Sequence, residues 1–546
     1  MTRALLCLLL AAAAAPASAL GASWAVGSQP GGFAALRAQL PQAHVLVPGR
    51  ALVVTGAKPH VHGATYVYDL STSSRSLAFD STEPDASRQW YLTADATWTH
   101  WPEPPNLTPV RVAVIDSGID AGHPEFQGQI SAGRSFVGSS WRTDTCGHGT
   151  FVAGEIAANP FNGIGIAGLA FNAKLLVVKV TDASCNVSTE GEIDGIRWAV
   201  NHGARVINLS IGGTRDPEDS ELDSFSPPEE AAVEYAYSKG VLVVAAVGNG
   251  TIEARMPWQW ADYPAALPHV LGVAAVKQSG AVPDYSNRDK QYVDIAAPGG
   301  PIFSTIPRNL VDASLDGCAG VAYSTCGPSE FKDGIGTSFA APQVSSAAAL
   351  LLGVDPSLVP DQLEWLLERS ATDANPSTGC STCPAGRDSL TGWGVLNVDA
   401  ALKLLGNATK LPPRDALEPN DDAGLSAHPF GLPRTITATL DYWDDPIDVY
   451  SIHLDAGDEV FARLGLDPVA PTSIELWKPG TVHVTGPPRE VLASRAAQSM
   501  SVGGQQRLGY VAPVEGTYFL EVEIGRPSRA LDLYSLSVAV RKSARS

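Results

Sequence analysis

The sequence predicts an α/β domain, a parallel sheet with helices on both faces, followed by an all-β sandwich or jelly roll. Three observations carry this. Short β-branched runs bounded by turn residues alternate with helical stretches between Val110 and Leu352, the pattern of a parallel sheet buried on both faces. Leu411-Pro412-Pro413 then breaks the chain. From about Asp415 the helical spacing gives way to short alternating strands, Ile436–Leu440, Val449–Leu454, Glu459–Leu464, Thr517–Ile524 and Leu533–Val540, as a sandwich requires.

The chain opens on MTRALLCLLLAAAAAPASA, with Arg3, an apolar stretch from Leu5 to Ala15, and Ala17-Ser18-Ala19 as a small-residue cleavage site. This predicts a secretory signal over residues 1–19, too short to span a membrane comfortably. The 546 residues are 45% hydrophobic and 17% charged, which excludes general disorder. A net charge of −20 argues against nucleic acid and favours a well-solvated surface. The expectation is a monomer that binds neither nucleic acid nor membrane. Cys7 falls in the signal, leaving Cys146, Cys185, Cys318, Cys326, Cys380 and Cys383. An even number in an exported chain suggests disulfides. Closeness in sequence favours Cys318–Cys326 and Cys380–Cys383, leaving Cys146–Cys185. Zinc is the rival for Cys380 and Cys383, with no second Cys or His pair nearby to complete it.

Residues 20–79 carry little chemistry, with strands predicted over Val45–Thr55 and Ala64–Asp69. They read as a removable pro-segment or as an arm of the main domain, which is placed over 80–410. After a Pro-rich link, Val110–Ile115 is a buried strand that stops at Asp116-Ser117-Gly118. An acid at the carboxyl end of a parallel strand is a turn former or a site residue. DTCGHGTFVAGEIAA (Asp144–Ala158) places His148 at the start of a helix, for packing or for chemistry. Leu175–Val180 is a strand, and Glu190–His202 is an amphipathic helix. Val206–Leu209 is a strand ending in Ser210-Ile211-Gly212-Gly213. Ala231–Lys239 is a helix closed by Gly240. Val241–Val247 is a strand ending in Gly248-Asn249-Gly250. Finally GIGTSFAAPQVSSAAALL (Gly334–Leu351) sets Ser338 before a buried helix predicted over Phe339–Leu352. Pro342 is tolerated in a first turn. Ser338 can be a simple N-cap, or a nucleophile where free N–H groups favour developing negative charge.

The strand ends thus offer Asp116, Ser210 and Asn249, and the helix starts offer His148 and Ser338. That is an inventory for nucleophilic acyl transfer. Serine needs a base, histidine has a suitable pKa, an acid fixes its tautomer, and amide donors hold the oxyanion.

On these residues the chain resembles the subtilisin family of serine peptidases. VAVIDSGID contains Asp116, GHGTFVAG contains His148, VVAAVGNG contains Asn249 and GTSFAAPQV contains Ser338. The order Asp, His, Ser is the subtilisin order. YPAALPHVLGVAAV, YVDIAAPG and TGWGVLNVDAAL extend the likeness over about residues 87–405. Phe151 departs from it, standing where the family often has a second histidine. The resemblance implies Ser338 as nucleophile, His148 as general base, Asp116 as its orienting acid, and Asn249 with the Ser338 N–H as oxyanion hole. It implies a cleft lined by Ser210, Ile211, Gly212, Ala246 and Gly248, whose backbone pairs with substrate as an added strand. It places Asp262, before Tyr263-Pro264, at the base of the P1 pocket, where a carboxylate favours Lys or Arg; the other reading is a solvated surface acid. The implied activity is secreted endopeptidase action on proteins or peptides through an acyl-enzyme. It implies bacterial-type export, extracellular or periplasmic. The pro-segment acts as intramolecular inhibitor and chaperone. No catalytic cofactor is implied, structural calcium is. Activity is expected to fall as His148 protonates. A rival is an inactive, protein-binding relative. An esterase reading expects G-x-S-x-G and the order Ser, Asp, His, which this chain lacks.

Residues 415–546 resemble the pre-peptidase C-terminal domain of secreted bacterial peptidases, on Glu418-Pro419-Asn420-Asp421, Asp445-Pro446-Ile447-Asp448-Val449-Tyr450 and Gly516-Thr517-Tyr518. Glu418, Asn420, Asp421, Asp445 and Asp448 are hard oxygen donors suited to calcium, or ordinary turn formers.

Overall fold

The computed structural model describes residues 23–542 apart from 29–31, 48–50, 56–58, 63, 70–82, 102–103, 220, 251–257, 312–329, 408–410, 414, 425, 442, 444, 467–471, 485–492, 503–504 and 525–531. The signal and the expected Cys318–Cys326 pair lie outside the described residues. The chain divides into two compact units, Met1–Leu77 and Ala78–Ser546.

In the first unit, β1 (Ser23–Ser28), β2 (His44–Val47), β3 (Ala51–Thr55) and β4 (Ala64–Asp69) form an antiparallel sheet in the order β2-β3-β1-β4, with α1 (Phe33–Gln39). Val26, Leu36, Leu40, Leu52 and Val54 are its core. The strand expected over Val45–Thr55 is therefore two strands that pair with each other.

The second unit is organised on a seven-stranded sheet of β5 (Val110–Asp116), β6 (Ile130–Ser135), β7 (Ala173–Lys179), β8 (Val206–Leu209), β9 (Leu242–Ala246), β10 (Val270–Lys277) and β11 (Ile295–Gly300). Its order is β11-β10-β9-β8-β5-β7-β6 and every pairing is parallel. Side chains alternate faces along each strand, and the core divides accordingly. Val112, Val114 and Val244 pack with α3 (His148–Ala157) and α6 (Ala341–Val354). Ala113, Ile115 and Val243 pack on the other face with Ile196 of α4 (Thr189–Asn201) and Val233 of α5 (Pro227–Ser238). The helices α2 (Trp90–Ala94), α7 (Pro360–Ser370) and α8 (Val398–Asn407) complete the described set.

Helix α6 is buried from Ala341 to Gly353. Its Ala-rich sequence lets it run close under the sheet. It starts two residues later than expected, because Thr337–Phe339 form a separate 3-10 turn. Ala340 is the residue that caps α6, so the capping role considered for Ser338 does not hold. The antiparallel pair β12 (Ile302–Thr305) and β13 (Phe331–Gly334) delivers the chain into that turn.

The C-terminal region is built of antiparallel sheets. One contains β14 (His428–Pro429), β16 (Ile447–Leu454), β18 (Thr472–Trp477), β19 (Arg495–Gln498) and β22 (Gly516–Ile524). Its order is β14-β16-β22-β18-β19, and only the short β14 pairs in parallel. The other contains β15 (Arg434–Leu440), β17 (Glu459–Leu466), β20 (Met500–Val502), β21 (Gln505–Val511) and β23 (Asp532–Arg541), in the order β15-β23-β17-β21-β20. Residues of both sheets, among them Ile436, Tyr450, Val460, Ile474, Leu520 and Leu536, form one buried cluster. Each of the five expected strands falls within one of these.

Candidate active site

Asp116 is the last residue of β5 and His148 the first of α3. The His148 Nδ1 atom lies 2.9 Å from both carboxylate oxygens of Asp116. Asp116 is 1% exposed, and its Oδ1 also accepts the Ser117 N–H. Burial alone would lower the His148 pKa. The charge and hydrogen bond of Asp116 outweigh it and hold the imidazole above its ordinary value.

The loop that presents His148 is folded around Asp144. Its carboxylate accepts the backbone N–H groups of Cys146, Gly147 and Thr150 at 2.8–3.0 Å, with the Thr150 and Ser117 hydroxyls. Burial still raises its pKa. The Cys146–Cys185 disulfide ties the same loop to the segment after β7. Gly149 has no space for a side chain, since a Cβ would collide with the Gly118 carbonyl oxygen. Beneath them, Lys179 at the end of β7 is 1% exposed and donates to the carbonyls of Ser117 and Thr143 at 2.7 and 3.1 Å.

Ser338 lies half-buried in the 3-10 turn. The ring of Phe339, the next residue, is 5.5 Å from that of His148 and 4.2 Å from that of Phe151. Phe151 thus fills the core behind the histidine. The Ser338 carbonyl accepts the Ser210 hydroxyl at 2.7 Å. Behind Ser210, Asn208 donates to its hydroxyl and accepts from Ser345 of α6, each at 2.9 Å. A buried polar chain therefore runs from α6 through β8 to the serine turn. Asn249 Oδ1 accepts the N–H and hydroxyl of Thr337 at 2.8 and 3.0 Å. Those two donors fix the amide's orientation and turn its NH₂ group the other way. Gly336, with φ +149°, enters the turn beside it.

The sequence pattern of the subtilase family matches residues 108–394. The chain belongs to the subtilase family. This subtilase is 34% identical to subtilisin DY of Bacillus licheniformis over 293 residues, 54% of this chain and 90% of that protein. It is 35% identical to subtilisin E of Bacillus subtilis over 54% of this chain and 65% of that protein. It is 33% identical to fervidolysin of Fervidobacterium pennivorans over 60% of this chain, and spans 45% of fervidolysin's length.

In this subtilase Ser210 to Gly213 leave the sheet edge beside Tyr263, with which Gly213 exchanges two backbone hydrogen bonds of 2.9 Å. Gly212 is exposed and Ile211 half-buried. Ala246 is 5% exposed and packs into the core, so it offers the cleft only backbone. Asp262 is half-buried. Its carboxylate occupies the space that the absent side chain of Gly248 leaves, next to Asn287. Burial raises its pKa to about 7, against the pull of the Arg215 backbone N–H and Asn287.

Two trios of donors cluster where the C-terminal region begins: His269 with Glu418 and Asp421, and Asp415 with Glu418 and Asp448. A third, His453, Asp455 and Glu515, is on the surface. Asp415 accepts from Leu417 and Thr439. Asp448 accepts from Asn420, Tyr450 and Tyr534. Asp448, counted from sequence among the cation donors, falls in one of these trios, and its oxygens also accept the hydrogen bonds that anchor Asn420.

Of the residues that position the site, Asp144, Lys179, Asn208 and Ser345 were missed from sequence. The signal was there. Lys179 in LLVVKV and Asn208 in VINL are polar residues inside runs buried on both faces, and such residues must have partners.

Proposed function

We propose that this subtilase is a secreted serine endopeptidase in which Ser338, His148 and Asp116 act as nucleophile, base and orienting acid. One observation carries the reading: Asp116 clasps Nδ1 of His148 while Asn249, its oxygen committed to Thr337, turns its NH₂ group out beside the serine turn. With Nδ1–H held by the acid, Nε2 is the nitrogen that takes the serine proton. Ser338 Oγ attacks the scissile carbonyl and its proton passes to Nε2. The Asn249 amide and the Ser338 N–H hold the oxyanion. Collapse expels the amine, which takes the proton from His148. Water, deprotonated by the same nitrogen, then releases the acid and restores Ser338.

Ser210 to Gly212 and Gly248 receive the substrate backbone as an added strand. Asp262 makes the P1 pocket select Lys or Arg, since a half-buried carboxylate with no ion-pair partner among the described residues gains most from a cation the substrate brings. The export signal and the disulfides Cys146–Cys185 and Cys380–Cys383 support secretion. Residues 20–79 serve as the pro-segment, inhibiting and templating the peptidase. The C-terminal region is a pre-peptidase C-terminal-like domain. Structural calcium, which the family likeness implies, fits its acidic entry. Buried oxygens of Glu418, Asn420, Asp421 and Asp445 there have no hydrogen-bond partner, and such oxygens suit a hard cation. That cation stabilises the fold and takes no part in turnover.

The test is digestion of casein by the purified chain and by Ser338→Ala, with every cut site sequenced. The reading expects cleavage after Lys and Arg by the wild type alone. Cleavage that survives Ser338→Ala refutes it; cleavage without basic preference refutes the role of Asp262.

A further inference from the structure

We propose that His269, from the peptidase part of the fold, joins Glu418 and Asp421 of the C-terminal region in holding one divalent cation. The ion then clamps the two parts together. The inference rests on the cation reading of the acidic entry and adds a nitrogen ligand from outside it.

Three observations support it. One donor atom each from His269, Glu418 and Asp421 lies within 4.8 Å of the others, the span of ligands on opposite sides of one ion at 2.3–2.6 Å, roughly the Ca²⁺ range. All three side chains are buried, at 4%, 2% and 9% exposure. Nε2 of His269 lies 2.8 Å from Asp421 Oδ2 and 3.6 Å from Glu418 Oε2, which accepts the Asn420 N–H; the His269–Asp421 contact is not an aligned hydrogen bond, and Glu418 Oε1 has no partner. A buried ring nitrogen between two carboxylates, one of which keeps an unpartnered oxygen, is a donor set from which a cation displaces the Nε2 proton. The neighbouring trio of Asp415, Glu418 and Asp448 differs, because Asp415 and Asp448 are satisfied by N–H and O–H donors.

The histidine is held in place for this. Its backbone has φ +59°, a conformation that non-glycine residues adopt rarely and that marks functional positions. Its ring stacks on Tyr237 at 3.7 Å and 13°, and the Tyr237 hydroxyl donates to Asp361 at 2.5 Å. Asp361, Glu364 and Asp445 add negative charge around the imidazole. Two carboxylates and one imidazole suit Ca²⁺, Mn²⁺ or Zn²⁺, so the donor set defines the class, a divalent cation.

The experiment uses the full secreted chain, stripped with chelator and dialysed against Ca²⁺, Mn²⁺ or Zn²⁺ alone, with bound metal counted by mass spectrometry. His269→Ala, Asp421→Asn and Glu418→Gln are treated alike. The proposal expects about one bound equivalent of at least one ion in the wild type, weakened tenfold or more in all three variants. It expects chelation to split one calorimetric transition into two, as the peptidase and C-terminal parts uncouple. Turnover of a short peptide amide by His269→Ala checks that each preparation is folded. Metal retained by His269→Ala but lost from Glu418→Gln overturns the histidine's role and leaves the oxygen site standing. No metal on the wild type overturns both.

Discussion

Two histidines in this molecule meet carboxylates at nearly the same distance, and their surroundings give them different work. His148 Nδ1 is 2.9 Å from Asp116, and His269 Nε2 is 2.8 Å from Asp421. In each pair the acid's charge outweighs burial and raises the imidazole, His269 to about 9. Around His148, each nearby acid is met by donors: Ser117 N–H on Asp116, and three N–H groups and two hydroxyls on Asp144. Around His269, the oxygens of Glu418, Asp421 and Asp445 face inward without them. On the proposed reading the first setting fixes a tautomer for proton transfer, and the second groups donors for a cation that displaces the imidazole proton. The pairing of residue types does not decide function; what satisfies the acid's other oxygens does.

The predictions separate these two settings. Ser338→Ala or His148→Ala should reduce kcat on the order of 10⁴-fold or more. His269→Ala should leave the turnover of a short peptide within a few-fold. Steady-state kinetics on a fluorogenic peptide with P1 Arg checks both. If His269→Ala proves as damaging as His148→Ala in a folded protein, the distinction fails.

Asn249→Ala should lower kcat by about 10²–10³-fold with little change in KM, the scale of one oxyanion donor, a magnitude established on subtilisin itself. Asp262→Asn should cut kcat/KM for P1 Arg about tenfold or more relative to P1 Leu, measured on paired substrates. An equal loss on both substrates would make Asp262 structural.

The disulfide sharpens the comparison from the side of order. Cys146 and Cys185 are 39 residues apart, and removing a link of this kind costs ~2–4 kcal/mol. The double Ser variant should melt earlier and lose activity through the His148 loop, while metal binding at His269 is retained. Calorimetry alongside the metal count checks this.

The smallest effect is in pH. Turnover needs neutral imidazole at His148, and its pKa is raised, so activity should be lost as pH falls through a value above the ordinary ~6.5. Asp116→Asn removes the raising charge, so the acid limb of the residual activity should move to lower pH. An unmoved limb would mean another group controls it.

The sheet and its candidate site residues were legible because strand ends announce themselves. VRVAVI stops at an acid, VINL at a serine and VVAAV at Gly-Asn-Gly, and parallel strands place such ends together. The start of α6 was less legible, since Gly336, Thr337 and Ser338 read equally well as a helix cap; only the 3-10 turn separates the serine from the helix. Asn208 announced a buried partner but not which one, because its bond to Ser345 joins positions 137 residues apart. His269 carried no motif at all. Its role depends on a backbone turn and on acids roughly 150 positions further along the chain, and no spacing rule reaches that far.

The most direct test of the central claim is labelling of the purified chain with a fluorophosphonate, with the adduct mapped by mass spectrometry. The account predicts one adduct, on Ser338, formed slowly or not at all in His148→Ala and at the normal rate in His269→Ala. A folded, processed protein that takes no label, or takes it at another residue, would contradict it.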